Sequence, residues 1–275
     1  MKLQGIFAEI TTPFDHKGDI YKTKVEHNVE KWNRTTLAGY VVCGRAGEGA
    51  LLAGEEKAAV WQMVAKYAAP EKMLIAATAM PGVREGVALA NRAADLSYRA
   101  VLDDVPHRRA ETQLAYFRAI ADQSRIPVIA GGVDTGVAAA VSQHPNIVAV
   151  CGDAGKAVGS GVVSTEVLAR SAAHLWPALQ SGAAGAILDF AAAAPYASIA
   201  IWEAHRTREE EAGMDWQNRI LRAAELIDEC HHGVPCLKHA MDLNGFYGGP
   251  PRLPLIVPGA EARREIEEAF GGFKG

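Results

Sequence analysis

Residues 126–153 read IPVIAGGVDTGVAAAVSQHPNIVAVCGD, and the fold is decided here. An apolar run, Pro127–Gly132, is followed by a small-residue segment of helical period, Thr135–Val141, and then by a second apolar run, Ile147–Cys151. The runs are short, rich in Val and Ile, and bounded by Pro, Gly and Asn, so the unit reads strand, helix, strand.

The same alternation extends in both directions. Strands are expected at Gly5–Thr11, Gly39–Gly44, Met73–Thr78, Ala100–Asp104, Pro127–Gly132, Ile147–Cys151, Glu166–Arg170 and Ala184–Asp189. Helices are expected at Tyr21–Trp32, Glu55–Ala68, Arg84–Leu96, Ala110–Gln123, Thr135–Val141, Ser171–Gln180 and Tyr196–Thr207, with a weak, glycine-interrupted one at Gly155–Val163. A strand and a helix repeated eight times describe an α/β fold of the (β/α)8 TIM-barrel type. The competing open sheet carries a Gly-rich phosphate loop after its first strand, and Thr11-Thr12-Pro13-Phe14 is not one. Residues 1–208 are read as the barrel and residues 209–275 as an appended helical layer of the same structural unit, with amphipathic stretches at Met214–Cys230, Leu237–Leu243 and Glu261–Phe270. Pro250, Pro251 and Pro254 interrupt that layer.

Composition narrows the function classes. The chain has 275 residues, 49% of them hydrophobic and 22% charged, which excludes disorder and small disulfide scaffolds. Lys and Arg number 28 against 32 Asp and Glu, and no basic tract is dense enough to follow a nucleic-acid backbone. No apolar run approaches the roughly 20 residues of a membrane helix, and Met1–Ile10 lacks the pattern of a secretory signal. The expected location is the cytoplasm, with Cys43, Cys151, Cys230 and Cys236 as reduced thiols. The group Cys230-His231-His232 with Cys236 fits no standard metal-ligand spacing and is read as a helix end, so neither a metal nor a cofactor is expected.

Six short motifs in order carry a resemblance over nearly the whole chain. They are Thr12-Pro13-Phe14, Gly44 with Gly47-Glu48, Ile126-Pro127-Val128-Ile129, His144-Pro145-Asn146-Ile147-Val148, Trp176-Pro177-Ala178-Leu179 and Arg252-Leu253-Pro254-Leu255. Together they resemble the pyruvate-dependent class I aldolases, the family that includes dihydrodipicolinate synthase and N-acetylneuraminate lyase. The resemblance implies a (β/α)8 barrel with C-terminal helices, assembled as a homo-oligomer (dimer or tetramer), acting as a carbon–carbon lyase or synthase on a ketoacid.

It also implies active-site residues, and these are altered here. The family's Schiff-base lysine in strand six falls on Cys151, and a thiol cannot form the iminium that serves as electron sink. The family's proton-shuttling tyrosine falls on Gly131. The turn whose threonines hold the substrate carboxylate reads Gly44-Arg45-Ala46-Gly47-Glu48. Aromatic residues after strand four fall on Asp104 and Val105, and an arginine of the loop after strand five falls near Asp134. Lys156 is the lysine nearest to strand six, but an extended chain carries it about 16 Å past the site. Lys57, Lys66, Lys72 and those before them read as solvated charges.

Charged residues stand where small ones are expected. The same matching puts Glu9, Arg45, Arg170 and Asp189 on the catalytic face, beside Thr12, Ala46 and Cys151. Two readings stay open: ion pairs that plug a disused cavity, or a rebuilt site where Arg45 or Arg170 clamps a carboxylate and Glu9 or Asp189 acts as acid or base. Cys151 is either a buried volume-filler or a thiolate activated by Arg170. Three functions follow: a barrel that binds or transforms a small carboxylate or ketoacid-like metabolite without a Schiff base, an aldol lyase or synthase of the family's usual kind, or a non-catalytic subunit.

Overall fold

Eight strands, β1 (Gly5–Ile10), β2 (Gly39–Val42), β3 (Met73–Ala77), β4 (Ala100–Asp104), β5 (Val128–Gly131), β6 (Ile147–Gly152), β7 (Glu166–Ala169) and β8 (Gly185–Leu188), pair in parallel in sequence order. β8 pairs back onto β1, and the sheet closes into a barrel. The structure is a computed structural model that describes residues 1–78, 80–104, 107–152, 165–229 and 233–273. Each strand lies within two residues of its expected bounds.

The barrel helices among the described residues are α1 (Lys22–Asn33), α2 (Gly54–Tyr67), α3 (Val83–Asp95), α4 (Ala110–Gln123), α5 (Thr135–Val141), α6 (Leu175–Gln180), the short α7 (Phe190–Ala193) and α8 (Pro195–Thr207). α9 (Glu210–Glu229), α10 (Gly233–Leu243) and α11 (Ala260–Phe270) follow. α9 packs along α8, while α10 lies on α7 and α11. Two of these helices begin four residues earlier than expected. Glu210 and Glu211 complement the N-terminal dipole of α9 before its apolar pattern begins, and Pro235 sits in the first turn of α10, where no intrahelical N–H is needed. α6 begins at Leu175 rather than Ser171, because Ser171 turns away to donate from Oγ to Asp228 Oδ2 at 2.6 Å. The weak helix expected at residues 155–163 lies outside the described residues.

Strand periodicity sorts the apolar residues into two clusters. Phe7, Val41, Ile75, Leu102, Ile129, Ala149, Leu168 and Ile187 fill the barrel interior, and their sequence neighbours pack outward against the helices. Two residues further along each strand, the same phase turns Glu9, Asp104, Gly131, Cys151, Arg170 and Asp189 inward at the C-terminal end. The core therefore sets which side chains meet at the mouth.

Two lysines correct the reading of solvated charge. Lys57 is fully buried and Lys72 nearly so. Lys57 Nζ donates to Thr78 O, and Lys72 Nζ donates to Thr35 O at 2.6 Å and Leu37 O at 3.0 Å. Their ammonium groups are thus held by backbone carbonyls instead of water.

Asp103, one position before the inward-facing Asp104, points into the helix layer and is fully buried. Neither carboxylate oxygen has a well-formed hydrogen bond among the described residues. Tyr116 lies close by but commits its hydroxyl proton to Met80 O at 2.5 Å. Burial pushes the Asp103 carboxyl up to about 7, with Thr78, Tyr116 and Lys57 opposing the rise. The folded state thus holds a proton there that the unfolded chain releases near pH 4. This group favours folding at low pH, and its contribution falls by about 1.4 kcal/mol per pH unit between about 4 and 7. We expect Asp103→Asn to lack that slope, so that urea unfolding shows the variant gaining on the parent from pH 5 to pH 8. An equal difference at both pH values contradicts the assignment.

Candidate functional site

A single guanidinium organises the mouth. Arg170, just beyond the last residue of β7, donates from Nη1 to Asp104 Oδ1 at 2.7 Å and from Nη2 to Asp104 Oδ2 at 3.0 Å. Its Nη2 also reaches Glu9 Oε2 on β1 at 2.9 Å. The other Glu9 oxygen accepts from the Ala46 backbone N–H at 3.1 Å. Glu9 is therefore a buried acid bonded at both oxygens. Burial opposes the charge of Arg170, but the Glu9 and Asp104 carboxylates outweigh it and keep the guanidinium protonated.

Two glycines make room for these groups. A Cβ at Gly131 would come within 2.2 Å of Asp104 Oδ1 and 3.2 Å of Arg170 Nη1, and a Cβ at Gly44 would come within 2.3 Å of Glu9 Oε1. The space beside the position that the resemblance assigns to a tyrosine is thus taken by the Asp104–Arg170 pair, with Asp104 coming from the neighbouring strand β4. Among the described residues, no lysine stands at the inward-facing strand ends. Lys156 lies outside the described residues, as does Val105.

Cys151 faces this cluster and is buried. Desolvation pushes its thiol up to about 12, and the nearby Arg170 only partly offsets that rise. A thiol with that value is not a nucleophile at neutral pH. Burial and a raised thiol are what the volume-filling reading of Cys151 expects.

Arg45 differs from Arg170 in kind. Its Nη2 donates to Asp189 Oδ2 at 2.7 Å, yet its side chain stays 56% exposed, against 16% for Arg170. Asp189 is held on its other oxygen by the Phe190 N–H at 2.7 Å, and burial raises its carboxyl although Arg45 opposes the shift. Thr12 donates from Oγ1 to Gly47 O at 2.7 Å, so it holds the turn instead of facing a ligand. Beside the mouth lies a cavity of about 580 Å3, lined by Arg45, Gly152, Arg170, Ser171, His174 and Asp228 among others.

Glu9, Arg45, Ala46, Cys151, Arg170 and Asp189 are thus brought together as the sequence suggested. Asp134 is placed elsewhere, capping the interaction between α4 and α5 through Gln113. Asp104 carries more weight than the sequence reading gave it, and its signal was available: alternation from Leu102 turns it inward, opposite Arg170. Ser171, His174 and Asp228 were not anticipated, since nothing in the sequence links α9 to the end of β7. Cys230, His231 and His232 lie outside the described residues, and Cys236 is buried within α10.

Comparison with known proteins fixes the ancestry of this mouth. Residues 2–271 match the Dihydrodipicolinate synthetase family. The chain belongs to that family. It is 26% identical to a 4-hydroxy-tetrahydrodipicolinate synthase of Exiguobacterium sp., over 98% of this chain and 97% of the relative. It is 28% identical to a probable mitochondrial 4-hydroxy-2-oxoglutarate aldolase of Emericella nidulans, over 97% of this chain and 93% of the relative. Among solved structures, the dihydrodipicolinate synthase of Acinetobacter baumannii complexed with pyruvate superposes with a TM-score of 0.92 at 23% identity, covering 98% of this chain and 99% of that one. The barrel is that of the family.

The Arg170 cluster generates a stability prediction. Arg170→Met leaves Glu9 and Asp104 without their cation, at an expected cost of about 3–5 kcal/mol in urea unfolding. Combining it with Glu9→Gln and Asp104→Asn is expected to recover more than half of that loss, because no uncompensated charge remains. A loss below about 1 kcal/mol in the single variant, or no recovery in the triple one, contradicts the cluster as drawn.

Proposed function

We propose that this barrel binds or transforms a small carboxylate at its C-terminal mouth without a Schiff base. The observation that carries the reading is the unequal state of the two arginines. Arg170 commits three of its five N–H donors to Glu9 and Asp104 and is largely buried. Arg45 gives one N–H to Asp189 and presents the rest of its planar fork to solvent and to the adjoining cavity. A guanidinium in that state can take a carboxylate bidentately. Asp189, whose carboxyl is raised by burial and shares the Arg45 fork, is the acid or base best placed to exchange a proton with such a ligand. Glu9 is not, because Arg170 and the Ala46 N–H occupy both of its oxygens.

The second reading, an aldol lyase or synthase of the usual kind, is favoured by the family and by relatives named as synthase and aldolase. It requires an amine at the mouth, and Cys151 stands at the position the resemblance gives to that amine. A non-catalytic subunit is the third. For the assembly we propose a homo-oligomer, a dimer or tetramer, and for the compartment the cytoplasm; no described helix is long and apolar enough to cross a membrane.

A ligand that binds only the folded protein raises its melting temperature, so a panel of monocarboxylates, dicarboxylates and ketoacids tests the reading directly. At least one member is expected to raise Tm by several degrees in the parent protein and to have no effect on Arg45→Met. Silence of the whole panel, or equal shifts in parent and variant, contradicts carboxylate binding through Arg45.

A further inference from the structure

The turn that carries Arg45 is anchored from outside the barrel. Residues Gly44–Gly49 fold back on themselves through Glu48 N–H to Arg45 O at 3.1 Å and Gly49 N–H to Gly44 O at 2.9 Å. Glu48 adopts φ 56° and ψ 33°, a left-handed conformation that costs a non-glycine residue about 1 kcal/mol or more and persists only where its surroundings enforce it. Those surroundings come from the C-terminal layer. Glu48 Oε1 lies 2.5 Å from Lys238 Nζ, on α10, and both side chains are shut away from solvent. Glu48 Oε2 accepts from the Arg252 backbone N–H at 2.7 Å.

Lys238 is connected at every face of its ammonium. It donates to Thr12 O at 2.9 Å, in the loop after β1, and to Pro250 O at 3.1 Å. The ammonium also lies 4.6 Å from the centre of the Phe14 ring, whose other neighbour is the Arg252 guanidinium at 4.5 Å. Burial lowers the Lys238 ammonium's pKa, and Glu48 opposes that shift. One cation thus joins the loop after β1, the turn after β2 and the segment after α10. Thr12 closes the circuit by donating to Gly47 O, and Ala46 closes it on the other side through Glu9.

We propose that Lys238 is a positioning residue for the mouth: through Glu48 it fixes the turn that aims Arg45 at Asp189 and at the ligand. The ligand part of this claim rests on the carboxylate-binding reading above; the positioning part does not. A buried ion pair of this kind contributes little net stability when replaced as a whole, but it specifies one arrangement of the groups around it. The C-terminal helices, which contribute no group to the Arg170 cluster, then govern the presentation of Arg45.

The test uses the full-length protein in three forms: parent, Lys238→Met, and Lys238→Met combined with Glu48→Gln, which leaves no unpaired buried charge and keeps the protein folded should the single variant fail. The rate of phenylglyoxal modification at Arg45, followed by peptide mass spectrometry with the exposed Arg206 as internal standard, reads the position of the guanidinium without any ligand. We expect that rate to rise at least threefold in the double variant, while Ile266→Ala, which loosens α11, leaves it unchanged despite a lower Tm. Calorimetric titration with malonate is expected to weaken at least tenfold in the double variant. An unchanged Arg45 rate in a folded double variant overturns the positioning role. If malonate fails to bind the parent while the Arg45 rate still rises, positioning stands and the malonate arm counts against carboxylate binding at this mouth.

Discussion

The contact of the Arg170 guanidinium with Glu9 and Asp104 is the constraint on which the mouth of this barrel depends. Placing Glu9 beyond solvent's reach is costly unless a cation stands within hydrogen-bond range, and strand phase supplies one from the end of β7, two strands away around the barrel. Once that cation is present, a second acid on β4 can share it, and the β5 residue between them can carry no side chain. Glu9, Asp104, Gly131 and Arg170 therefore depend on one another, and each would be poorly accommodated without the other three.

The same logic separates the two arginines that the sequence left equivalent. Arg170 sits at the end of a strand, largely buried, and gives three hydrogen bonds to the acids beside it. Arg45 sits on a turn, tied to one acid at the edge of the cavity, with a majority of its side chain in solvent. A turn is a less rigid platform than a strand, and this one is held by a lysine from α10 through the carboxylate of Glu48. The C-terminal layer thus meets the barrel where the mouth is least rigid.

The barrel was legible in the sequence because its signal is redundant. Eight apolar runs at a regular spacing leave little freedom, while the inward phase of Glu9, Cys151, Arg170 and Asp189 was read from the family resemblance and agrees with the alternation of the strands. What was not legible depends on groups far apart in the chain. Lys57 and Lys72 look like surface charges, since a helical lysine and a loop lysine carry no mark of the buried carbonyls they reach. Lys238 meets Thr12, 226 positions away in sequence, through a contact that no local pattern encodes. Asp228 meets Ser171 in the same way. The division between Arg45 and Arg170 needed distances, because both residues fit the carboxylate-clamp role equally well on residue type alone.

The proposal that this barrel works without a Schiff base requires that its mouth offer a ketoacid no amine, and among the described residues no lysine stands at the inward-facing strand ends. The most direct measurement is the intact mass of the protein after borohydride reduction in the presence of excess pyruvate, with an aldolase of known Schiff-base chemistry treated in parallel. The account predicts an unchanged mass for this protein alongside a reduced pyruvyl adduct on the control. A stoichiometric adduct on this chain, mapped to any lysine, contradicts it.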